Sequence, residues 1–152
     1  HPEVMAATGR LPRLMTPHPG EMERLLRNFP GWHGMSRRML VESLTQTAPG
    51  RTLLLKGTRT VTATHGKPTL FNTTGHAGMA SGGMGDVLSG VCATFAAQHL
   101  TLHQAAGLGA WVCGRAAERF VIQERAAMES VGASDVTAHL GGALRDLKEG
   151  RF

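Results

Sequence analysis

The chain has 152 residues, enough for one domain with a real core, and 41% hydrophobic against 18% charged residues exclude a disordered chain. A net charge of +5 raises nucleic acid as a partner, but the basic residues stand singly or in pairs such as Arg37 and Arg38. There is no Tyr, and aromatics at 5% offer few stacking platforms; a small anionic ligand explains the excess as well, and no nucleic-acid partner is expected.

Cys92 and Cys113 lie in apolar helical contexts without metal or disulfide-framework spacing, and read as buried thiols of a reducing compartment. No apolar run reaches membrane-spanning length and no signal peptide opens the chain, so cytoplasm is expected, with no membrane partner. The first residue is His1, which points to a chain cut from something longer.

In chain order, a polar lead is followed by a short apolar strand at 11–15 and then TPHPGEMERLL at 16–26. Pro17 and Pro19 place the start of a helix no earlier than Gly20, and residues 21–28 put Met22, Leu25 and Leu26 on one helical face. The pattern is strand, tight loop, helix. Loops at the carboxyl ends of parallel strands are where α/β proteins bind ligands, which makes His18 and Glu21 site candidates, although His18 taken alone reads equally as a turn histidine with no role. A second helix spans 35–47, with Met39, Leu40 and Leu44 inward and Arg37, Arg38 and Glu42 outward. TLLLK at 52–56 reads as a buried strand ending in GTRT, and 61–64 with 69–71 form a hairpin-like β region. Lys56, Gly57 and Thr58 at the strand end suit a nucleotide phosphate, or are a solvated lysine in a turn.

The densest signal is residues 72–90, NTTGHAGMASGGMGDVLSG, which sets Gly75, Gly78, Gly82, Gly83, Gly85 and Gly90 around a single acid, Asp86. Beyond it Val87, Leu88, Val91, Cys92 and Phe95 recur at helical intervals, so Gly82, Gly83, Met84 and Gly85 open a helix. Free N–H groups and the positive end of the macrodipole make that position an anion site. A plain connector with Asp86 as a dipole-complementing residue would use the same letters. However, six glycines lose much backbone entropy that a connector need not spend.

Residues 102–124 form a helix with a small-residue face at Ala105, Ala106, Leu108, Gly109, Val112 and Cys113. A gap at 130–132 precedes a last helix, capped by Ser134 or Asp135, with Val136, Leu140, Leu144 and Leu147 inward and Gly141 and Gly142 weakening its continuity. The order β, α, α, β, β, β, α, α, α predicts an α/β sandwich on a mainly parallel sheet.

Three segments, TPHPGE at 16–21, LLLKGTRTV at 53–61 and GMASGGMGDVLSG at 78–90, resemble the ADP- or ATP-dependent NAD(P)H-hydrate dehydratases. Gly75, His76 and Ala77 stand where that family more usually has Gly-Asn-Pro. The resemblance implies a ribokinase-like three-layer α/β/α sandwich, of which residues 1–152 are the C-terminal portion of a single dehydratase domain lacking its N-terminal half. It implies repair of hydrated NADH or NADPH, by phosphorylation of the ring hydroxyl and elimination. In the roles it implies, His18 and Asp86 contact the hydrated substrate, and Lys56, Gly57, Thr58, Arg59, Thr60 and Gly85 hold ADP or ATP. The amides of Gly83, Met84 and Gly85 then stabilise the transferred group and Asp86 accepts the hydroxyl proton. Mg²⁺ would be bridged by nucleotide phosphates and water, with no metal cage in the protein. Another ribokinase-like small-molecule kinase shares the GxGD element, but TPHPGE argues against it. A catalytically silent fragment that binds nucleotide weakly is the other alternative. A missing first half would leave a sheet edge open, so self-association into a homo-oligomer is expected.

Overall fold

The computed structural model describes residues 11–27 and 31–151, and the chain divides into two compact units, one ending at Phe71 and the other beginning at Asn72. In the first, four strands lie in chain order, β1 (Arg13–Met15), β2 (Arg51–Leu55), β3 (Val61–Thr64) and β4 (Leu70–Phe71). β1 pairs parallel with β2, while β2·β3 and β3·β4 are antiparallel. The mainly parallel sheet expected from the element order is therefore corrected. The short connections after β2 and β3 close antiparallel pairs, whereas only β1 and β2 are joined through helices.

Those helices are α1 (Pro19–Leu26) and α2 (Arg37–Gln46). α1 starts one residue before the earliest position expected, because Pro19 sits at the helix start where a missing N–H and a fixed φ cost nothing. The expected extension to Asn28 lies outside the described residues. β2 is buried along its whole length, and Leu53 and Leu55 meet Met22, Leu26, Val41 and Leu44 in one core cluster. The inward face of α2 is Val41, Leu44 and Thr45 with Leu40 packed against the same cluster, so Leu40 and Leu44 lie inward as expected and only Met39, 54% exposed, does not.

The second unit is helical: a 3₁₀ turn at Ala77–Met79, then α3 (Met84–Ala97), α4 (Leu102–Gln123), a 3₁₀ turn at Met128–Ser130, and α5 (Ala133–Glu149). α4 packs on both α3 and α5 through the expected small-residue face, and Ala105, Ala106, Gly109, Val112 and Cys113 are all buried. Burial pushes the Cys92 thiol up to about 11 and, with Cys92 nearby, that of Cys113 up to about 12, so both are neutral packing groups near pH 7.

α5 begins at Ala133, capped at Gly132, whose N–H donates to the Asp135 carboxylate at 2.8 Å, so Asp135 serves from inside the first turn. The helix also runs unbroken through Gly141 and Gly142. A Cβ on Gly142 would stand 2.3 Å from Arg119 Nε, so this glycine makes room for an arginine lying across the helix. Beneath it Asp146, 1% exposed, accepts from Arg115 Nε and Arg119 Nη1, both at 2.8 Å. Among the described residues no helix is long and apolar enough to cross a membrane.

Candidate functional site

The loops that follow β1 and β2 leave the same end of two adjacent parallel strands, with Met15 opposite Leu53. They are tied by the Lys56 N–H, which donates to the Pro17 carbonyl at 2.9 Å. His18 caps α1: its Nδ1 accepts from the Glu21 N–H at 3.2 Å, while Glu21 Oε2 accepts from the His18 N–H at 2.7 Å. With Nδ1 accepting, Nε2 is the ring nitrogen that can donate, and it lies on the exposed edge. Glu21 reaches two cationic or donor groups, His18 Nε2 and Lys56 Nζ, each at 3.6 Å. The His18 N–H holds the Glu21 carboxyl below its ordinary value against the opposing effect of burial, and Lys56 adds to the lowering. TPHPGE is thus a helix start and a donor cluster at once.

Beyond Lys56, residues 57–59 are exposed, with Gly57 at φ +125° and Arg59 at φ +51°, and Thr60 Oγ1 donates to the Gly57 carbonyl at 3.3 Å. The loop is backed by Arg37, whose guanidinium donates to the carbonyls of Leu55, Lys56 and Thr58. Reading α2 by apolar spacing alone set Arg37 outward and missed this contact. Its signal was a cation at the first position of a helix, where the macrodipole disfavours it.

In the second unit the glycine stretch is clamped before it reaches α3. Asn72 Nδ2 donates to the carbonyls of Thr74 and Ala110, Thr74 Oγ1 to that of Trp111, and the Gly75 N–H to Glu118 Oε1 at 2.7 Å. The next turn lies so close to its neighbour that a Cβ on Gly78 would stand 1.8 Å from the Met128 carbonyl oxygen. Ser81 Oγ donates to the Val131 carbonyl at 3.2 Å. Part of the glycine density therefore answers to packing within the chain and not to a ligand. His76 has both ring nitrogens buried without a partner among the described residues, and nothing in the structure accounts for it.

The end of the stretch is more open. Gly82 has open space where a Cβ would be, and Gly83 caps α3 at φ +82°. The Asp86 N–H turns back to the Gly83 carbonyl at 3.1 Å, while helix geometry leaves the amides of Met84 and Gly85 with no intrahelical acceptor. Asp86 is exposed, and its carboxylate has no hydrogen-bond or ion-pair partner among the described residues. An uncommitted carboxylate beside orphan amides and the positive end of a fourteen-residue helix can receive a proton next to a bound oxyanion. Gly83→Val should cost about 1–2 kcal/mol, because a branched residue is forced to positive φ, and should weaken phosphate binding. Urea unfolding with nucleotide titration checks both. A variant of parental stability that binds nucleotide normally would exclude the backbone cradle.

The structure thus gathers His18, Glu21 and Lys56 in the first unit, and Gly83, Met84, Gly85 and Asp86 in the second. Among the described residues no group of three or more His, Cys, Asp or Glu side chains could hold a metal ion.

Comparison with known proteins places the chain in a family. The family model for NAD(P)H-hydrate dehydratase matches residues 2–138. The bifunctional NAD(P)H-hydrate repair enzyme Nnr of Moorella thermoacetica is 39% identical over 146 residues, covering 91% of this chain and 26% of the relative. The ADP-dependent (S)-NAD(P)H-hydrate dehydratase of Neisseria meningitidis serogroup B is 37% identical over 113 residues, covering 74% and 37%. The ADP/ATP-dependent NAD(P)H-hydrate dehydratase of Bacillus subtilis, co-crystallised with ATP/Mg²⁺, superposes with a TM-score of 0.74 at 23% identity over 88% of this chain and 47% of that one. The chain therefore spans well under half the length of these curated relatives. The fold is ribokinase-like, and the chain belongs to the NAD(P)H-hydrate dehydratase family.

Proposed function

We propose that this chain is the later part of a single dehydratase domain that restores hydrated NADH or NADPH, using ADP or ATP to phosphorylate the ring hydroxyl. The observation that carries the reading is the head of α3, where orphan amides at Met84 and Gly85, an open approach over Gly82 and an uncommitted Asp86 occur together. The amides of Gly83, Met84 and Gly85 stabilise the phosphoryl group in transfer, and Gly85 also contacts the nucleotide. Asp86 contacts the substrate and takes the hydroxyl proton as oxygen attacks phosphorus and the bond to the nucleotide breaks. Phosphate then leaves with the C–O bond, and loss of a ring proton restores the reduced nicotinamide.

Lys56, Gly57, Thr58, Arg59 and Thr60 hold the adenine nucleotide, and His18 offers its Nε2–H to the hydrated substrate. Mg²⁺ fits this donor set only as a companion of the nucleotide, held by phosphate oxygens and water, where it would neutralise phosphate charge. The setting is cytoplasmic, and no nucleic acid or membrane takes part.

The chain spans 26% and 37% of the two curated relatives above, and the second reading is a folded but catalytically silent portion. We expect the chain alone to bind nucleotide weakly, to show little repair and to self-associate through an open sheet edge and apolar face, since buried backbone and apolar groups need a partner. Light scattering gives the mass. Regain of NADH absorbance with ADP or ATP and Mg²⁺ gives the activity, with and without the earlier half of the domain supplied. Activity that appears on supplying that half supports the dehydratase. Continued silence with both halves present favours the second reading, and a fully active monomer overturns the half-domain argument.

A further inference from the structure

Arg37 is the first residue of α2, after the Ser36 cap, where a cation opposes the positive end of the helix dipole. Helix stability therefore does not explain it. Its guanidinium leaves the helix and collects three carbonyls of one loop, those of Leu55 and Lys56 at 2.9 Å each from Nη2 and that of Thr58 from Nη1. Burial lowers its pKa from the ordinary arginine value, so the site accepts a desolvation cost to keep a charge there.

The consequence follows from peptide geometry. A trans peptide points its N–H opposite its carbonyl, and no cis peptide occurs among the described residues. Drawing the Lys56 and Thr58 carbonyls toward Arg37 turns the N–H groups of Gly57 and Arg59 to the opposite side. Neither amide has an acceptor among the described residues, and both residues are exposed. The third amide of the set, that of Lys56, is already taken by Pro17. The shape is not one the chain adopts unaided, since Arg59 is a non-glycine residue at φ +51°.

We propose that Arg37 is a positioning residue for nucleotide binding: by gathering three carbonyls it presents the Gly57 and Arg59 amides as a fixed pair of donors to acceptor atoms of the adenine nucleotide. This rests on the nucleotide-binding reading of residues 56–60. It goes further in assigning the donors to the backbone and their aim to a residue outside the loop.

The test uses the full chain, with ADP and ATP binding followed by calorimetry and amide deuterium exchange followed at 55–60. Arg37→Met should weaken nucleotide binding about tenfold and speed exchange at Gly57 and Arg59, since charged hydrogen bonds of this kind are lost together. Arg37→Lys should recover little, because a compact ammonium lacks the fixed fork of donors that reaches all three carbonyls. In Arg37→Ala, millimolar ethylguanidinium should restore affinity, a recovery that general loss of packing would not give. Parental affinity in Arg37→Met, or no recovery with ethylguanidinium in a folded Arg37→Ala chain, overturns the role of Arg37 and leaves the nucleotide reading standing. A parent chain that binds neither ADP nor ATP removes the nucleotide reading, and the proposed role with it.

Discussion

Asp86→Asn in the complete dehydratase is expected to lower turnover by about 10²-fold or more while leaving nucleotide affinity largely intact. The substitution conserves size, and the backbone at this position is held by its own N–H to the Gly83 carbonyl, so the loop need not move. What disappears is the proton acceptor. The exposed carboxylate makes no internal bond among the described residues, so no structural partner is orphaned. The lost interaction with the helix dipole is about 0.3–1 kcal/mol, too small to account for a hundredfold change in rate. Steady-state kinetics should show the loss in kcat and not in the KM for nucleotide. Near-normal turnover in the Asn variant would remove Asp86 from the proton-accepting role.

The largest effect on stability is expected at Asp146. Burial pulls its carboxyl pKa up, but hydrogen bonds from Arg119 and Arg115 outweigh that and hold it below the ordinary carboxylate value. Asp146→Asn takes the anion from Arg119 and leaves Arg115 with Glu118 alone. Both arginines are about one-fifth exposed, so the penalty is roughly 2–4 kcal/mol, below the full cost of breaking a wholly buried pair. A carboxyl whose folded pKa is depressed contributes stability above its unfolded value, about 3.9, and loses it as the pH falls through the folded value. The parent should therefore weaken in acid below about pH 4, and the Asn variant should lack that share of the acid dependence. Denaturant unfolding from neutral to acid pH measures both, and an Asn variant with parental stability at neutral pH would sink the assignment. The same arginine joins Asp146 to the glycine stretch, since Arg115 also pairs with Glu118, which holds the Gly75 amide. Deuterium uptake at Gly75 should accordingly rise in the variant.

What could be read in the sequence was what repeats. The apolar spacing of 84–97 and 102–123 located two helices, and the small residues of the latter foretold its close packing. The glycines before Asp86 located the start of a helix, because a left-handed cap such as Gly83 favours a particular residue type. Interactions between distant segments left no such trace. Asp146 sits among Leu144 and Leu147 as one charge in an apolar pattern, and its partners Arg115 and Arg119 lie a helix away. Arg37 looked like a solvated residue because its three carbonyl acceptors carry no residue-type signature. Gly142 looked like a helix defect until the arginine crossing it was in view. The hairpin of β3 and β4 was legible, whereas the antiparallel pairing of β2 with β3 was hidden, because strand direction is decided by the connections and not by strand composition.

The sheet order carries a consequence for how the first unit comes together in time. β2, β3 and β4 are neighbours in sequence, so their pairing closes only short loops, whereas β1 reaches β2 across both α1 and α2. Loop-closure entropy makes the distant pairing the slower one, and it stands last in the order of assembly. His18 and Lys56 meet only across that last pairing, so their ion-pair cluster with Glu21 forms at the end of the process. A ligand gripping both loops would therefore slow unfolding more than it speeds folding, and would act on the lifetime of the native state.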